Sequence, residues 1–316
     1  MMTRTDLADR PLHFAQPMSS RPVLLCAGSL HHDVIVDAPA LPRPDQTLAG
    51  TGVRTAFGGK GGNQAAAAAR AGAEVHMAGA VGSDDAAIAL RAALDDFGVR
   101  RAAVQTHPGA SGLSVAISLP DGNYGAVIVS GANLLFRPEA VAFPKGCALL
   151  LLQSEIPEAV NLYLAQRARS AGIRIVLNAA PARAVGRDLL GLTDLLVVNR
   201  GEAADLLALP EAGLDPVRAA IDLGARTSGA VIVTLGGEGL VLAEAGGTVA
   251  QSARPVRVVS THGAGDAFIG ALGAEWARGA PLARAAAFGQ AAAALHVSLP
   301  PDQRPSIAEA DIRALI

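Results

Sequence analysis

Short, mainly apolar runs without polar alternation, separated by alanine-rich segments of helical length, constrain this chain more than any other feature. The runs are VLLCAG at 23–28, VHMAGA at 75–80, ALLLLQ at 148–153, IRIVLNA at 173–179, DLLVVN at 194–199 and AVIVTLG at 230–236. Strands without polar alternation are buried on both faces, which is the condition of a parallel sheet covered by helices. Helices are expected from Asn63 to about Ala71, from about Asp85 to Phe97 and from Pro157 to about Ala171. Strand and helix in alternation predict a doubly wound α/β fold, with a mostly parallel sheet flanked by helices.

Two segments break the alternation, 33–57 (DVIVDAPALPRPDQTLAGTGVRTAF) and 111–129 (SGLSVAISLPDGNYGAVIV). Both alternate polar with apolar residues and carry turn signals such as Pro120-Asp121-Gly122, which favour antiparallel hairpins. They are expected to form a small antiparallel sheet, a lid over the strand ends, in preference to hairpins that extend the main sheet. Its exposed edges would favour pairing with a second copy, so a homodimer through the lid is expected. Residues 1–21 are polar and lack the apolar stretch of a secretory signal, so they read as a flexible extension before a folded domain over 22–316. No run approaches the roughly 18 apolar residues of a membrane span, and the cytoplasm is the expected location. A net charge of -2 and 3% aromatic residues leave neither a basic surface nor stacking platforms for nucleic acid. Cys26 and Cys147 both sit in apolar runs, where a small buried side chain is the ordinary explanation.

Two glycine-rich segments carry the chemistry. In the first, Ser260-Thr261-His262-Gly263-Ala264-Gly265-Asp266-Ala267-Phe268 follows VRVV at 256–259, read as a buried strand, and precedes Phe268, Ile269, Leu272 and Trp276 at helical spacing. At such a junction the N–H groups of Gly263, Ala264 and Gly265 have no intrahelical partner and lie at the positive end of the helix dipole, so they favour an anion. Asp266 then sits at the mouth of an anion site. The second, Phe57-Gly58-Gly59-Lys60-Gly61-Gly62-Asn63-Gln64, lets the backbone approach a ligand while Lys60 and Asn63 supply donors. It is not a Walker A loop, because Gly61 follows the Lys where Ser or Thr is required, nor is it a dinucleotide fingerprint. Taken alone, a glycine cluster before a helix is most often a turn with a close packing contact.

Together the two segments resemble the signature regions of the ribokinase, or PfkB, family of sugar kinases, and further landmarks follow in the family's order. Gly28-Ser29-Leu30-His31-His32-Asp33 is similar to its first strand end, and Gln153-Ser154-Glu155 to a strand end that offers a carboxylate to the sugar. Asn199-Arg200-Gly201-Glu202 is similar to an Asn-x-x-Glu element, and Thr234-Leu235-Gly236-Gly237-Glu238-Gly239 to a nucleotide-binding turn. The resemblance implies an ATP-dependent kinase of a primary hydroxyl, with ribose as the first acceptor expected and another pentose, a ketohexose or a nucleoside as alternatives. It implies Asp266 as general base and Gly263, Ala264 and Gly265 as the anion hole. His31, Asp33, Gly59, Lys60, Gly61, Asn63 and Glu155 would hold the sugar. Asn199, Thr234, Gly236, Gly237, Gly239, Gly265 and Gln290 would hold ATP, with Glu202 and Asn199 serving Mg²⁺ mostly through water.

Two departures from the family pattern stand out. His31 replaces an Asn that contacts the sugar. Ser260 replaces an Asp associated with a monovalent cation beside the anion hole, and 296–303 (HVSLPPDQ) lacks the usual small residues, so weak or absent activation by K⁺ is expected. His262 lies in the turn and is not assigned a catalytic part, and His32, His76, His107 and His296 show no metal spacing. A non-catalytic sensor on the same fold is the competing reading, and the intact Asp266 argues against it. An NAD-dependent oxidoreductase is disfavoured by the missing fingerprint after the first strand.

Overall fold

The computed structural model describes residues 21–120 and 124–316, so almost all of the expected extension, and Asp121 and Gly122 of the expected turn, lie outside the described residues. In chain order the strands are β1 (Val23–Ala27), β2 (His31–Asp37), β3 (Gly52–Gly58), β4 (Glu74–Val81), β5 (Arg100–Thr106), β6 (Gly112–Ser118), β7 (Tyr124–Val129), β8 (Cys147–Gln153), β9 (Arg174–Asn178), β10 (Leu195–Asn199), β11 (Ala230–Thr234), β12 (Leu240–Glu244) and β13 (Gly247–Gln251). The helices are α1 (Lys60–Arg70), α2 (Asp85–Asp96), α3 (Glu158–Ser170), α4 (Arg187–Leu192), α5 (Arg200–Leu207), α6 (Pro216–Gly224), α7 (Ala264–Ala277), α8 (Leu282–Ser298) and α9 (Glu309–Ala314).

Every apolar run becomes a strand of one sheet, ordered β13-β12-β11-β10-β9-β8-β1-β4-β5. From β11 to β5 all neighbours are parallel, and only β12 and β13 run antiparallel at one edge. The alternation of side chains along each strand divides the core in two. Leu24, Cys26, Leu149 and Leu151 pack on the side of α1, α2, α7 and α8, while Leu25, Ala27, Leu150 and Leu152 pack on the side of α3 to α6. α7 is buried nearly all round, and where it crosses α1 a Cβ on Gly270 would lie 2.5 Å from the Gln64 carbonyl and 2.6 Å from Ala67 Cβ. Nothing larger than hydrogen fits that crossing.

Strand order reverses at β1 and β8, since one half of the sheet continues from β1 through β4 to β5 and the other from β8 through β9 to β11. Ligand sites in such sheets form in the crevice beyond the carboxyl ends at this reversal. The ends of β1, β8, β9, β10 and β11 deliver Ser29, Glu155, Asn178, Asn199 and Thr234 to that side.

The two segments that broke the alternation form a separate four-stranded sheet, β3-β2-β6-β7. Each hairpin is antiparallel as expected, but the two meet through parallel pairing of β2 with β6, so the small sheet is mixed and not wholly antiparallel. Asp84, the N-cap of α2, accepts from the N–H and hydroxyl of Ser111 at 2.8 and 2.5 Å and so fastens the start of β6 to the main body.

Two local expectations are corrected. VRVV at 256–259 is not a buried strand: it is an irregular connection, with Val258 56% and Val259 50% exposed. Its β-branched residues find no strand to pair with. The helix expected from Asn63 begins at Lys60, because Gly59 takes φ 85° as its N-cap and turns the following glycines into the first helical turn. Glycine costs about 1 kcal/mol in a helix relative to alanine. Contact explains its use here, since a Cβ on Gly61 would lie 2.6 Å from the Gly28 carbonyl carbon and one on Gly62 2.5 Å from the Phe57 ring.

Candidate active site

Gly263, in the left-handed region at φ 78°, is the N-cap of α7 and turns the chain so that Asp266 falls in the first helical turn. The N–H of Ala267 closes that turn on the Gly263 carbonyl at 3.0 Å. The N–H of Ala264 is spent on the Thr261 carbonyl at 3.1 Å, which corrects its expected place among the anion-hole donors. Among the described residues the N–H groups of Gly263, Gly265 and Asp266 have no backbone acceptor, so these are the donors left open at the start of α7.

The Asp266 carboxylate is 8% exposed and is held by two amides of α1: Gln64 Nε2 donates to one oxygen at 3.0 Å and Asn63 Nδ2 to the other at 3.3 Å. Burial raises its proton affinity above the ordinary carboxylate range, and the Lys60 ammonium, the two amides and the more distant Glu155 carboxylate modulate it. Gln64 also donates to Asn178 at 3.0 Å and accepts from Gln153 at 2.8 Å, so the helix-borne amide is tied to the ends of β9 and β8.

The residues expected on the acceptor side gather around Glu155. Its Oε2 accepts from the Ser29 hydroxyl and from the Lys60 N–H at 2.8 Å, and lies 3.9 Å from His31 Nδ1. His31 is 2% exposed and its Nε2 is buried without a partner. Burial keeps this imidazole neutral by lowering its pKa, Glu155 opposing and Lys60 reinforcing the shift. Asp33 is 7% exposed, and burial pushes its carboxyl up to about 7, with the Glu155 and Asp266 carboxylates adding to the rise. A Cβ on Gly58 would lie 2.2 Å from the Asp33 carboxylate, so this glycine makes room for a site residue. Gly59 and Gly61 also pack closely on backbone: a Cβ on Gly59 would lie 2.8 Å from the His31 nitrogen and one on Gly61 2.7 Å from the Ser29 nitrogen. They seat α1 against the β1–β2 connection.

On the other side a cleft of about 350 Å³ runs past Lys60, Asn178, Glu202, Thr234 and the 261–266 turn to Asp266. Asn199 and Glu202 form a reciprocal capping box at the start of α5, with the Glu202 N–H on Asn199 Oδ1 and the Asn199 N–H on Glu202 Oε2, both at 2.8 Å. Glu202 lines the cleft as well, and burial raises its carboxyl above the ordinary range. Thr234 is brought to the cleft. Gly236 and Gly237 lie just beyond, in the short turn between β11 and β12, and the close approach at Gly239 is to the Gln251 carbonyl, 2.0 Å from where its Cβ would stand. Gln290, on α8, gives its amide to the Gln251 carbonyl at 3.3 Å and does not line the cleft.

Three residues outside the expected set are built into the site: Gln64, which holds Asp266, Asn178, which accepts from Gln64, and Arg304, which holds the turn before Asp266. Gln64 had a signal, since it sits four residues after Lys60 and so one helical turn along α1.

What this arrangement suits is movement of a phosphoryl group onto an alcohol. Such transfer asks for a base near the hydroxyl, donors for phosphate charge and a polar cleft for the nucleotide, with little covalent work by the protein. The comparisons agree. The chain belongs to the pfkB family carbohydrate kinases, whose family model matches residues 22–308. It is 31% identical to a ribokinase of Haemophilus influenzae over 286 residues, covering 88% of this chain and 93% of the relative. It is 32% identical to a deoxyribokinase of Salmonella typhi over 253 residues, covering 77% of this chain and 82% of the relative. Among solved structures, the ribokinase of Arabidopsis thaliana complexed with ribose and ATP superposes with a TM-score of 0.83 at 27% identity, covering 94% of this chain and 98% of that one.

Proposed function

We propose that the chain, as a single catalytic unit over 22–316, transfers the γ-phosphoryl group of ATP to the primary hydroxyl of D-ribose, giving ribose 5-phosphate. The observation that carries the proposal is Asp266: a buried carboxylate, held by Asn63 and Gln64, standing between the Glu155 cluster and the cleft. In the proposed reaction Asp266 accepts the hydroxyl proton while the N–H groups at the start of α7 take up phosphate charge. Asp33 and Glu155 orient sugar hydroxyls by accepting from them, and the unpartnered Nε2 of His31 faces a hydroxyl in place of the amide used by relatives.

Among the described residues no group of three or more His, Cys, Asp or Glu side chains would hold a metal alone. That suits Mg²⁺, which keeps its waters and takes one or two carboxylates beside phosphate oxygens. Glu202, with Asn199 beside it, would hold the ion, which when bound neutralises charge on the β- and γ-phosphate oxygens. The proposal includes a cytoplasmic location and a homodimer through the small sheet.

A coupled assay of ADP release, over D-ribose, 2-deoxy-D-ribose, other pentoses, ketohexoses and nucleosides, tests the reading. D-ribose is expected to give the highest kcat/KM. Asp266→Asn is expected to lower kcat by about a thousandfold or more while sugar and ATP affinities stay within about threefold. If no acceptor stimulates ADP release while sugars still raise Tm, the chain is a sensor and the proposal fails.

A further inference from the structure

The turn that starts α7 hangs on a buried guanidinium. Arg304, 7% exposed, follows α8, and its nitrogens reach three main-chain oxygens: Nε donates to Leu299 O at 3.1 Å, Nη1 to His262 O at 3.0 Å and Nη2 to Ser260 O at 3.1 Å. Among the described residues no carboxylate pairs with it, so its charge is met by carbonyl dipoles alone. Burying a cation without a counter-ion is costly. His296 Nε2 also lies 2.9 Å from His262 O, and the N–H of Val259 donates to Val297 O at 2.7 Å. The whole loop before the anion site is thus suspended from 296–304.

This is the junction where the family resemblance implies a monovalent cation, and the residues do not fit one. Ser260 brings no carboxylate, and the carbonyl oxygens of Ser260 and His262 already receive the N–H groups of Arg304. A planar guanidinium, charged at every physiological pH, takes several fixed acceptors at once. In a trans peptide the N–H points opposite to the carbonyl. Fixing the His262 carbonyl on Arg304 therefore fixes the direction of the Gly263 N–H, one of the donors left to the anion site.

We propose that Arg304 is a built-in cation: a positioning residue that holds the Ser260–Gly263 turn in its anion-binding form and removes the need for a monovalent ion. The inference rests on the kinase reading for its kinetic arm, and a thermal arm without substrates separates the two. In chloride buffers of equal ionic strength, replacing tetramethylammonium by K⁺ is expected to change wild-type kcat by less than about twofold. Arg304→Ala is expected to lower kcat about 10- to 100-fold with sugar KM within about threefold, and about 10 mM guanidinium or K⁺ restores kcat at least about fivefold. Guanidinium at that concentration raises the Tm of Arg304→Ala and leaves wild-type Tm unchanged. Arg304→Lys, which keeps the charge without the fork, falls between the two in kcat, and it is read alone if the alanine variant does not fold.

The proposal is overturned if K⁺ stimulates the wild type about tenfold or more, if a folded Arg304→Ala keeps its kcat, or if its loss is restored by neither cation. Absence of any kinase activity in the wild type, with the guanidinium effect on Tm intact, defeats the kinase reading and leaves the cation assignment standing.

Discussion

Asp33 and Asp266 are two carboxyls buried in one site, and both are pushed toward the protonated form. For Asp33, raised to about 7, the native chain binds a proton that the unfolded chain has already lost. Unfolded aspartate titrates near 3.9, so stability is greatest below about pH 4 and declines up to about pH 7, by at most about 1.4 kcal/mol per pH unit per group. The Tm of the ligand-free protein is therefore expected to fall between pH 5 and 7.5 through these groups, and Asp33→Asn to make that fall shallower. Melting curves across the range check this; an unchanged slope in the variant removes Asp33 as the source. Hydroxyls that donate to the carboxylate favour its ionised form, so the Tm gain from ribose should be largest above pH 7. In the sequence, Lys60 and Asp266 stood out in glycine-rich segments before helices, and Asp33 and Glu155 through the family resemblance. Gln64 and Asn178 escaped both, because their parts are set by partners distant in the chain, and the partner of Gln64 lies 202 residues away. Arg304 escaped for the same reason, as its acceptors are main-chain oxygens.

At the level of elements, the start of α1 determines where Lys60, Asn63 and Gln64 stand. Gly61→Ala tests this, because the substitution gains about 1 kcal/mol of helix propensity yet drives a Cβ to within 2.6 Å of the Gly28 backbone. The obstructing atoms are backbone and do not swing aside, so overpacking, typically about 1–3 kcal/mol, wins. The expected outcome is a lower urea midpoint together with a raised sugar KM; a more stable variant refutes the packing account. The parallel strands were legible because burial on both faces leaves one uninterrupted apolar run. VRVV carries a similar local pattern but joins no sheet, and its Val258 and Val259 stay exposed. The parallel meeting of β2 with β6 was hidden too, since local pattern reports hairpins but not which strands of two hairpins adjoin.

Across the whole molecule, the small sheet has two unlike faces. Register sets Val34, Val53, Val115, Val127 and Val129 on one side and His31, Asp33 and Ser114 on the other. On the valine side Val53, on edge strand β3, is 72% exposed, and Val127 and Val129, on the opposite edge strand β7, are 69% and 54% exposed, apolar side chains that a second copy would cover. Sedimentation velocity at micromolar concentration is expected to show a dimer, and Val53→Lys with Val127→Lys a monomer of unchanged Tm; a monomeric wild type overturns the assembly. The chemistry meanwhile rests elsewhere. Asp266 is braced by α1 against α7, whose crossing at Gly270 admits no side chain. Under the proposed function, His31 and Asp33 place part of the acceptor site on the small sheet, while Glu155, Asn63 and Asp266 stay on the main body. A lineage of such chains can change its taste in acceptors by drift in the small sheet while the reaction centre is inherited intact.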